Sequence, residues 1–259
     1  MELGIAGRMA LVTGGSKGIG LAVARGLAAE GCHLHLAARS ADDLERARAV
    51  LRQAHDVEVA VHPMDLSLPG SAAGLAEAAG EVDILVNNAG AIPGGDLEAV
   101  DEERWRRAWD LKVFGYINLT REYLRRMKAR RGGVIVNVLG SAGENPTAGY
   151  IAGTTGNAGL MAFTRGVGST SIDDGVRVVG VNPGPVETDR ITTLLRTRAE
   201  GEFGDPERWR DYTRNWPLGR AAKPEECADL VVFLASGRAA YISGVIMTID
   251  GGLGARGGR

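Results

Sequence analysis

Cysteine is scarce in this chain, with only Cys32 and Cys227 among 259 residues. Two thiols so far apart make neither a disulfide framework nor a metal-ligand set, and they fit a reducing cytosol. No apolar run approaches the roughly 20 residues needed to span a bilayer. The N-terminal stretch MELGIAGRMALVTGG enters a strand directly and leaves no room for a signal peptide. Charge of one sign is also missing: the formal net charge is -2, and lysine and arginine are scattered. Such a balance gives no general attraction to nucleic acid or to an anionic membrane. These absences lead us to expect a soluble cytoplasmic protein with neither nucleic acid nor membrane as partner.

Short apolar runs alternate with amphipathic stretches. Residues 9–13, 33–37, 57–62, 84–87, 134–138, 176–181 and 245–249 read as strands, rich in valine and isoleucine and bounded by turn formers. Helical patterns lie between them at 18–30, 41–54, 72–79, 102–130, 148–168 and 224–235. Alternating strands and helices, with strongly apolar strands, imply a parallel sheet covered on both faces. No repeat or low-complexity linker divides the chain, so one domain over residues 1–259 is expected, with 254–259 (GARGGR) frayed at its end.

The first strand runs into Thr13-Gly14-Gly15-Ser16-Lys17-Gly18-Ile19-Gly20. Glycines that follow a strand and open a helix bring a pyrophosphate against free backbone N–H groups at a helix N-terminus. Further motifs follow in order: Asn87-Asn88-Ala89-Gly90, then Asn182-Pro183-Gly184-Pro185-Val186-Glu187-Thr188, Pro217-Leu218-Gly219-Arg220 ahead of the 224–236 helix, and Ile249-Asp250-Gly251-Gly252.

Together these motifs resemble the short-chain dehydrogenase/reductase family over residues 5–253, in particular members like the 3-oxoacyl-(acyl-carrier-protein) reductases. The resemblance implies an α/β fold with a Rossmann-like, doubly wound parallel sheet of seven strands. It also implies a bound nicotinamide dinucleotide. Carried over by motif, the cofactor residues would be Gly14, Ser16, Lys17, Gly18, Ile19 and Gly20 in the first turn, and Arg39 and Ser40 after the second strand. Asp65 and Leu66 would flank the adenine, Asn88, Ala89 and Gly90 the adenosine ribose side. Pro183, Gly184, Val186 and Thr188 would hold the nicotinamide half. An NAD site usually has an acid at the end of the second strand, on the ribose 2′-hydroxyl. Here that stretch reads Leu36-Ala37-Ala38-Arg39-Ser40. A planar guanidinium suits a 2′-phosphate, and Lys17 projects to the same region, so NADP(H) is favoured over NAD(H).

What the chain lacks most tellingly is the family's catalytic set, a serine, a Tyr-x-x-x-Lys and an asparagine on the preceding helix. A free tyrosine titrates near pH 10, and the lysine lowers that value. Aligned by helix register, Asn157 takes the lysine position, Gly153 the tyrosine, Gly140 the serine and Lys112 the asparagine. The nearby Tyr150 is followed four residues on by Thr154. At about 100° per residue, Tyr150, Gly153, Thr154 and Asn157 share one helix face. Pro146 favours an irregular helix start, from which the Tyr150 side chain can lean across the gap at Gly153.

Two functional readings follow. In one, the protein is an oxidoreductase on a small carbonyl or secondary-alcohol substrate, with a rearranged relay. Tyr150 exchanges the proton, Ser141 orients the oxygen, Lys112 supplies the positive charge, and Asn157 bonds the nicotinamide ribose. Each also has a plainer role open to it: helix cap for Tyr150, surface charge for Lys112, turn former for Ser141, interior polar contact for Asn157. Glu144 is a weaker acid–base candidate. In the other reading, the fold binds NADP(H) without redox chemistry, as a sensor, scaffold, lyase or isomerase.

Residues 189–216 form the expected substrate lid, with an apolar set including Leu194, Phe203, Trp209 and Trp216. Arg196, Arg198, Arg208 and Arg210 either attract an anionic carrier or form a solvated face. The resemblance implies a homodimer or homotetramer through helices 102–130 and 148–168, where Gly153, Gly156 and Gly159 would allow close approach.

Overall fold

A computed structural model describes residues 2–256. Seven strands, β1 (Met9–Thr13), β2 (His33–Ala38), β3 (Val59–Pro63), β4 (Ile84–Asn87), β5 (Gly133–Val138), β6 (Val176–Pro183) and β7 (Ile246–Ile249), form one sheet. The order is β3-β2-β1-β4-β5-β6-β7, and every pairing is parallel. Strand order reverses between β1 and β4, which opens a crevice at the carboxyl ends of the strands.

The described residues also form eight α-helices: α1 (Gly18–Ala29), α2 (Ala41–Ala54), α3 (Ser71–Ala79), α4 (Glu102–Trp109), α5 (Gly115–Ala129), α6 (Ile151–Ser171), α7 (Asp189–Phe203) and α8 (Pro224–Ala235). Helices α1, α2 and α8 bury Leu27, Leu44, Leu51 and Val231 against Val12, Leu34, Leu36 and Val179. On the other face, α3 and α5 set Leu75, Leu119 and Tyr123 against Leu11, Leu85 and Ile135. Burying both faces explains why the central strands read as near-continuous apolar runs. Helix starts follow local chemistry. Ser40 Oγ accepts from Asp43 N at 3.2 Å to cap α2, and Asp101 Oδ1 accepts from Arg104 N at 2.8 Å to cap α4.

Three expectations need correction. The helix read at 102–130 is two helices joined by a single π-turn, Asp110–Phe114. A π-turn needs neither proline nor glycine, so no residue type in this stretch announces it. The helix read from residue 148 begins at Ile151. Its would-be first turn is held in another way: Gly95 N donates to Gly149 O at 2.8 Å and Ile151 N donates to Gly95 O at 3.3 Å. The third strand begins at Val59, not Val57. It ends on Pro63, whose missing N–H is tolerable because β3 is an edge strand.

Candidate active site

At the nucleotide end, the first turn of α1 is open. Lys17 is its N-cap with no side-chain capping bond, and its first turn carries no acid. The first N–H groups of a helix have no intrahelical partner, so they point into the crevice as anion donors. The glycines are required sterically. A β-carbon on Gly20 would overlap the carbonyl oxygen of Gly14, and one on Gly14, at φ 66°, would lie 2.9 Å from Asn88 Nδ2. Asn88 Nδ2 donates to Thr13 O at 3.0 Å, while Asn88 N and Ala89 N donate to Thr13 Oγ1 at 2.9 and 3.0 Å. These bonds pin the β4 end to the β1 end. Thr188 then approaches Gly18 from the loop after β6, where a β-carbon on Gly18 would lie 3.4 Å from Thr188 Cγ2. Gly184 N donates to Ile249 O at 3.0 Å, which ties that loop to the β7 end.

On the adenosine side, Arg39 and Lys17 are both exposed. Asp65 Oδ1 accepts from Ser67 N at 2.9 Å and Ser67 Oγ at 2.7 Å. Those bonds, helped by the positive charges of Arg39 and Arg107, hold its carboxyl below the usual range. The open helix start and the close-fitting glycines fit a dinucleotide pyrophosphate. The absence of an acid at the end of β2 fits a phosphorylated ribose.

At the reaction end, three side chains converge on the backbone of residues 139–140. Lys112, on the π-turn, is buried, and its Nζ donates to Leu139 O at 2.8 Å. Burying an ammonium is costly without such partners. Its stem lies where a side chain on Gly90 would go, with Cδ 2.9 Å from that β-carbon position. Asn157, on α6, is also buried, and its Nδ2 lies 2.9 Å from the β-carbon position of Gly140. Its Oδ1 is buried without a hydrogen-bond partner. Asn182 Oδ1 accepts from Gly140 N at 3.3 Å.

Tyr150 is half-buried at the N-cap of α6, where it packs with Trp105 against the cluster of Ile92, Val100, Ala108 and Ala152. A β-carbon on Gly153 would overlap Cε1 and Cζ of its ring. The ring therefore lies across the place from which a side chain at residue 153 would start. Ser141 opens a short 3₁₀ turn, half-buried beside Gly140, and its carbonyl accepts from Glu144 N and Asn145 N. Thr154 Oγ1 accepts from Thr147 N at 3.4 Å.

Other candidates are engaged elsewhere. Exposed Glu144 accepts from Thr248 Oγ1 at 2.8 Å. In the lid, α7 leads into a 3₁₀ segment, Pro206–Thr213. The four arginines considered for a carrier are paired: Arg196 and Arg210 with Glu207, Arg198 with Glu202, and Arg208 with Asp211. Leu194 meets the rim of the crevice, 3.4 Å from the β-carbon position of Gly94. Two of the glycines assigned to close helix approach are used within the chain. Gly153 seats Tyr150, and Gly156 faces Val113 and Trp109, while only Gly159 has open space around it. Sequence reasoning missed Asn182 and Thr13 as positioning residues. The signal available was a polar residue at the end of an apolar strand, just before a loop motif.

The sheet order, the glycine crevice at the strand reversal and the contacts of Lys112, Asn157 and Asn182 with residues 139–140 define a Rossmann-type fold with a polar cleft at the carboxyl ends of its strands. A family model described as short chain dehydrogenase matches residues 8–199. Galactitol 2-dehydrogenase (L-tagatose-forming) of Cereibacter sphaeroides is 36% identical over 248 residues, covering 95% of this chain and 94% of that protein. A 3-oxoacyl-(acyl-carrier-protein) reductase of Aquifex aeolicus is 32% identical over 261 residues, covering 98% and 100%. The crystal structure of L-sorbose reductase from Gluconobacter frateurii, complexed with NADPH and L-sorbose, matches at a TM-score of 0.90 and 33% identity, covering 97% of this chain and 98% of that one. The chain belongs to the short-chain dehydrogenase/reductase family, a family of oxidoreductases. Among the described residues, no helix is long and apolar enough to cross a membrane.

Proposed function

We propose that the protein is an NADP(H)-dependent oxidoreductase that interconverts a carbonyl and a secondary alcohol on a small organic substrate. The observation that carries this reading is the Tyr150 ring lying across Gly153. It restores a phenol to the helix position where this family keeps one, from one turn earlier in the chain.

The cofactor, when bound, supplies or accepts hydride. The protein residues do the rest. The first turn of α1, with Gly14, Ser16, Gly18, Ile19 and Gly20, receives the pyrophosphate. Asp65, Leu66, Asn88, Ala89 and Gly90 line the adenosine half, and Pro183, Gly184, Val186 and Thr188 the nicotinamide half. Arg39, with Lys17 and Ser40 beside it, meets the 2′-phosphate, and this gives the preference for NADP(H). Tyr150 gives a proton to the carbonyl oxygen or takes it back from the alcohol. Ser141 orients that oxygen by a hydrogen bond. Asn157 Oδ1 accepts from a ribose hydroxyl. Lys112, whose Nζ donates to Leu139 O, braces the turn at Leu139–Ser141 that carries the serine.

The test is Tyr150→Phe. Turnover with a panel of small ketones, followed by NADPH absorbance, is expected to fall by about 10²–10⁴-fold, the usual worth of a general acid. NADPH affinity is expected to stay within a few-fold. Unchanged turnover removes Tyr150 from the chemistry. If the wild-type protein consumes no NADPH with any ketone in the panel, the binding-only reading replaces this one.

A further inference from the structure

We propose that His35 and His62 form a proton-sensitive clasp that ties β2 to β3 and transmits pH to the adenosine end of the nucleotide site. The coupling rests on the cofactor reading above; the clasp itself does not. His35 Nδ1 and His62 Nε2 lie 2.7 Å apart, and the rings stack with centroids 5.0 Å apart at 28°. Only a neutral imidazole offers an acceptor nitrogen, so this bond needs at least one neutral ring. With both rings protonated, every ring nitrogen carries a hydrogen, no acceptor remains, and two cations face each other.

The surroundings leave each ring little other help. On the shared sheet face, β1 carries no titratable side chain and sets Leu11 beside His35, and β3 contributes only His62. His33 shares the face, but its Nδ1 accepts from Glu58 N at 3.0 Å. Glu77, the one charged residue on α3, is exposed. Helix α5 directs Arg126 to Ala76 O. The charged residues of α2 lie across the sheet, since its Leu44 and Leu51 pack with Leu34 and Leu36. Burial lowers the pKa of both histidines, and His62 lowers that of His35 further. A histidine held below its ordinary 6.5 adds stability above that pH and loses it as the pH falls through its folded value.

The clasp stands just before two nucleotide-contacting segments. Beyond it, the β2–β3 ladder closes with Ala37 opposite His62 and Ala38 opposite Pro63, and Met64 N donates to Ala38 O at 2.8 Å. Arg39 and Ser40 follow directly on one strand, Asp65 and Leu66 on the other. Splaying the strands at the histidines separates Arg39 from Asp65, so acid weakens nucleotide binding.

The experiment titrates NADP⁺, which survives acid, into the wild-type protein and His62→Gln by calorimetry at pH 7.5 and 5.5. Histidine ring NMR follows the clasp in parallel. The glutamine keeps a hydrogen-bonding group but does not titrate. Taking the ratio of the two proteins cancels the titration of the 2′-phosphate itself. We expect wild-type affinity to fall at least about threefold further than that of the variant, over the pH range in which the ring bond is lost. A ring bond intact at pH 5.5 overturns the clasp. A broken bond with parallel affinities overturns the coupling. No NADP⁺ binding at pH 7.5 refutes the cofactor reading, and the coupling with it, while the ring spectra still decide the clasp.

Discussion

The two ends of the crevice are built by opposite means. The proposed nucleotide end is mostly backbone: an open helix start, glycines with no room for a side chain, and amide bonds to Thr13. At the proposed reaction end, three side chains each occupy a seat left by a glycine. Tyr150 lies over Gly153, Asn157 against Gly140, and Lys112 against Gly90. Backbone recognition tolerates no substitution at its contact points, whereas side-chain chemistry can be moved to a neighbouring residue if the old position is cleared. Both ends use glycine, once to let backbones approach closely and once to seat a neighbouring side chain.

This contrast can be broken most forcefully at Gly20. Gly20→Ala puts a methyl group into the Gly14 carbonyl, and neither backbone can yield. NADPH affinity, read by fluorescence titration, is expected to fall about 100-fold or more, roughly 3 kcal/mol. Retained affinity in a folded variant would contradict the backbone account. Gly153→Ala addresses the other end. The added methyl group displaces the Tyr150 ring, so turnover is expected to drop at least about tenfold while NADPH binds within a few-fold of wild type. Equal losses in both would mean that the ends are not separable. Arg39→Ala sharpens the picture at the ribose: the NADPH-over-NADH preference is expected to narrow by about tenfold, and an unchanged ratio would place the 2′-phosphate elsewhere.

The smallest effect concerns pH. Glu226 Oε2 accepts from Lys223 N at 2.6 Å, and the carboxylate is paired with Arg220 through both oxygens at 2.7 and 2.8 Å. The Arg220 bond first, then the Lys223 amide, hold its pKa at about 2 against an ordinary 4.5. Stability from this pair is full above 4.5 and is lost as pH falls through about 2. Glu226→Gln is therefore expected to flatten part of the acid-unfolding curve and to change little at pH 7, because the pair is exposed and screened.

The glycine turns after the strands were legible in the sequence, because turn chemistry is local. A glycine after a strand carries its reason within a few residues. The strand and helix order followed from alternation for the same cause. The reaction end was only half legible. Register arithmetic placed Tyr150, Gly153 and Asn157 on one face, since that is a property of any helix. It could not show the pairing of Gly95 with residues 149 and 151 that delays α6, because that contact joins distant segments. Nor could it show which way Lys112 points. The π-turn that carries it has no proline to announce it. The lid arginines looked available for a carrier only because their acidic partners become visible once the segment folds back on itself.

That wide turn at Asp110–Phe114 has a practical bearing on any attempt to transplant this chemistry. The bearing of the ammonium depends on an insertion as well as on an amino-acid type. Copying lysine alone onto a regularly wound helix would point it along a different heading, so a working graft must import the extra residue too.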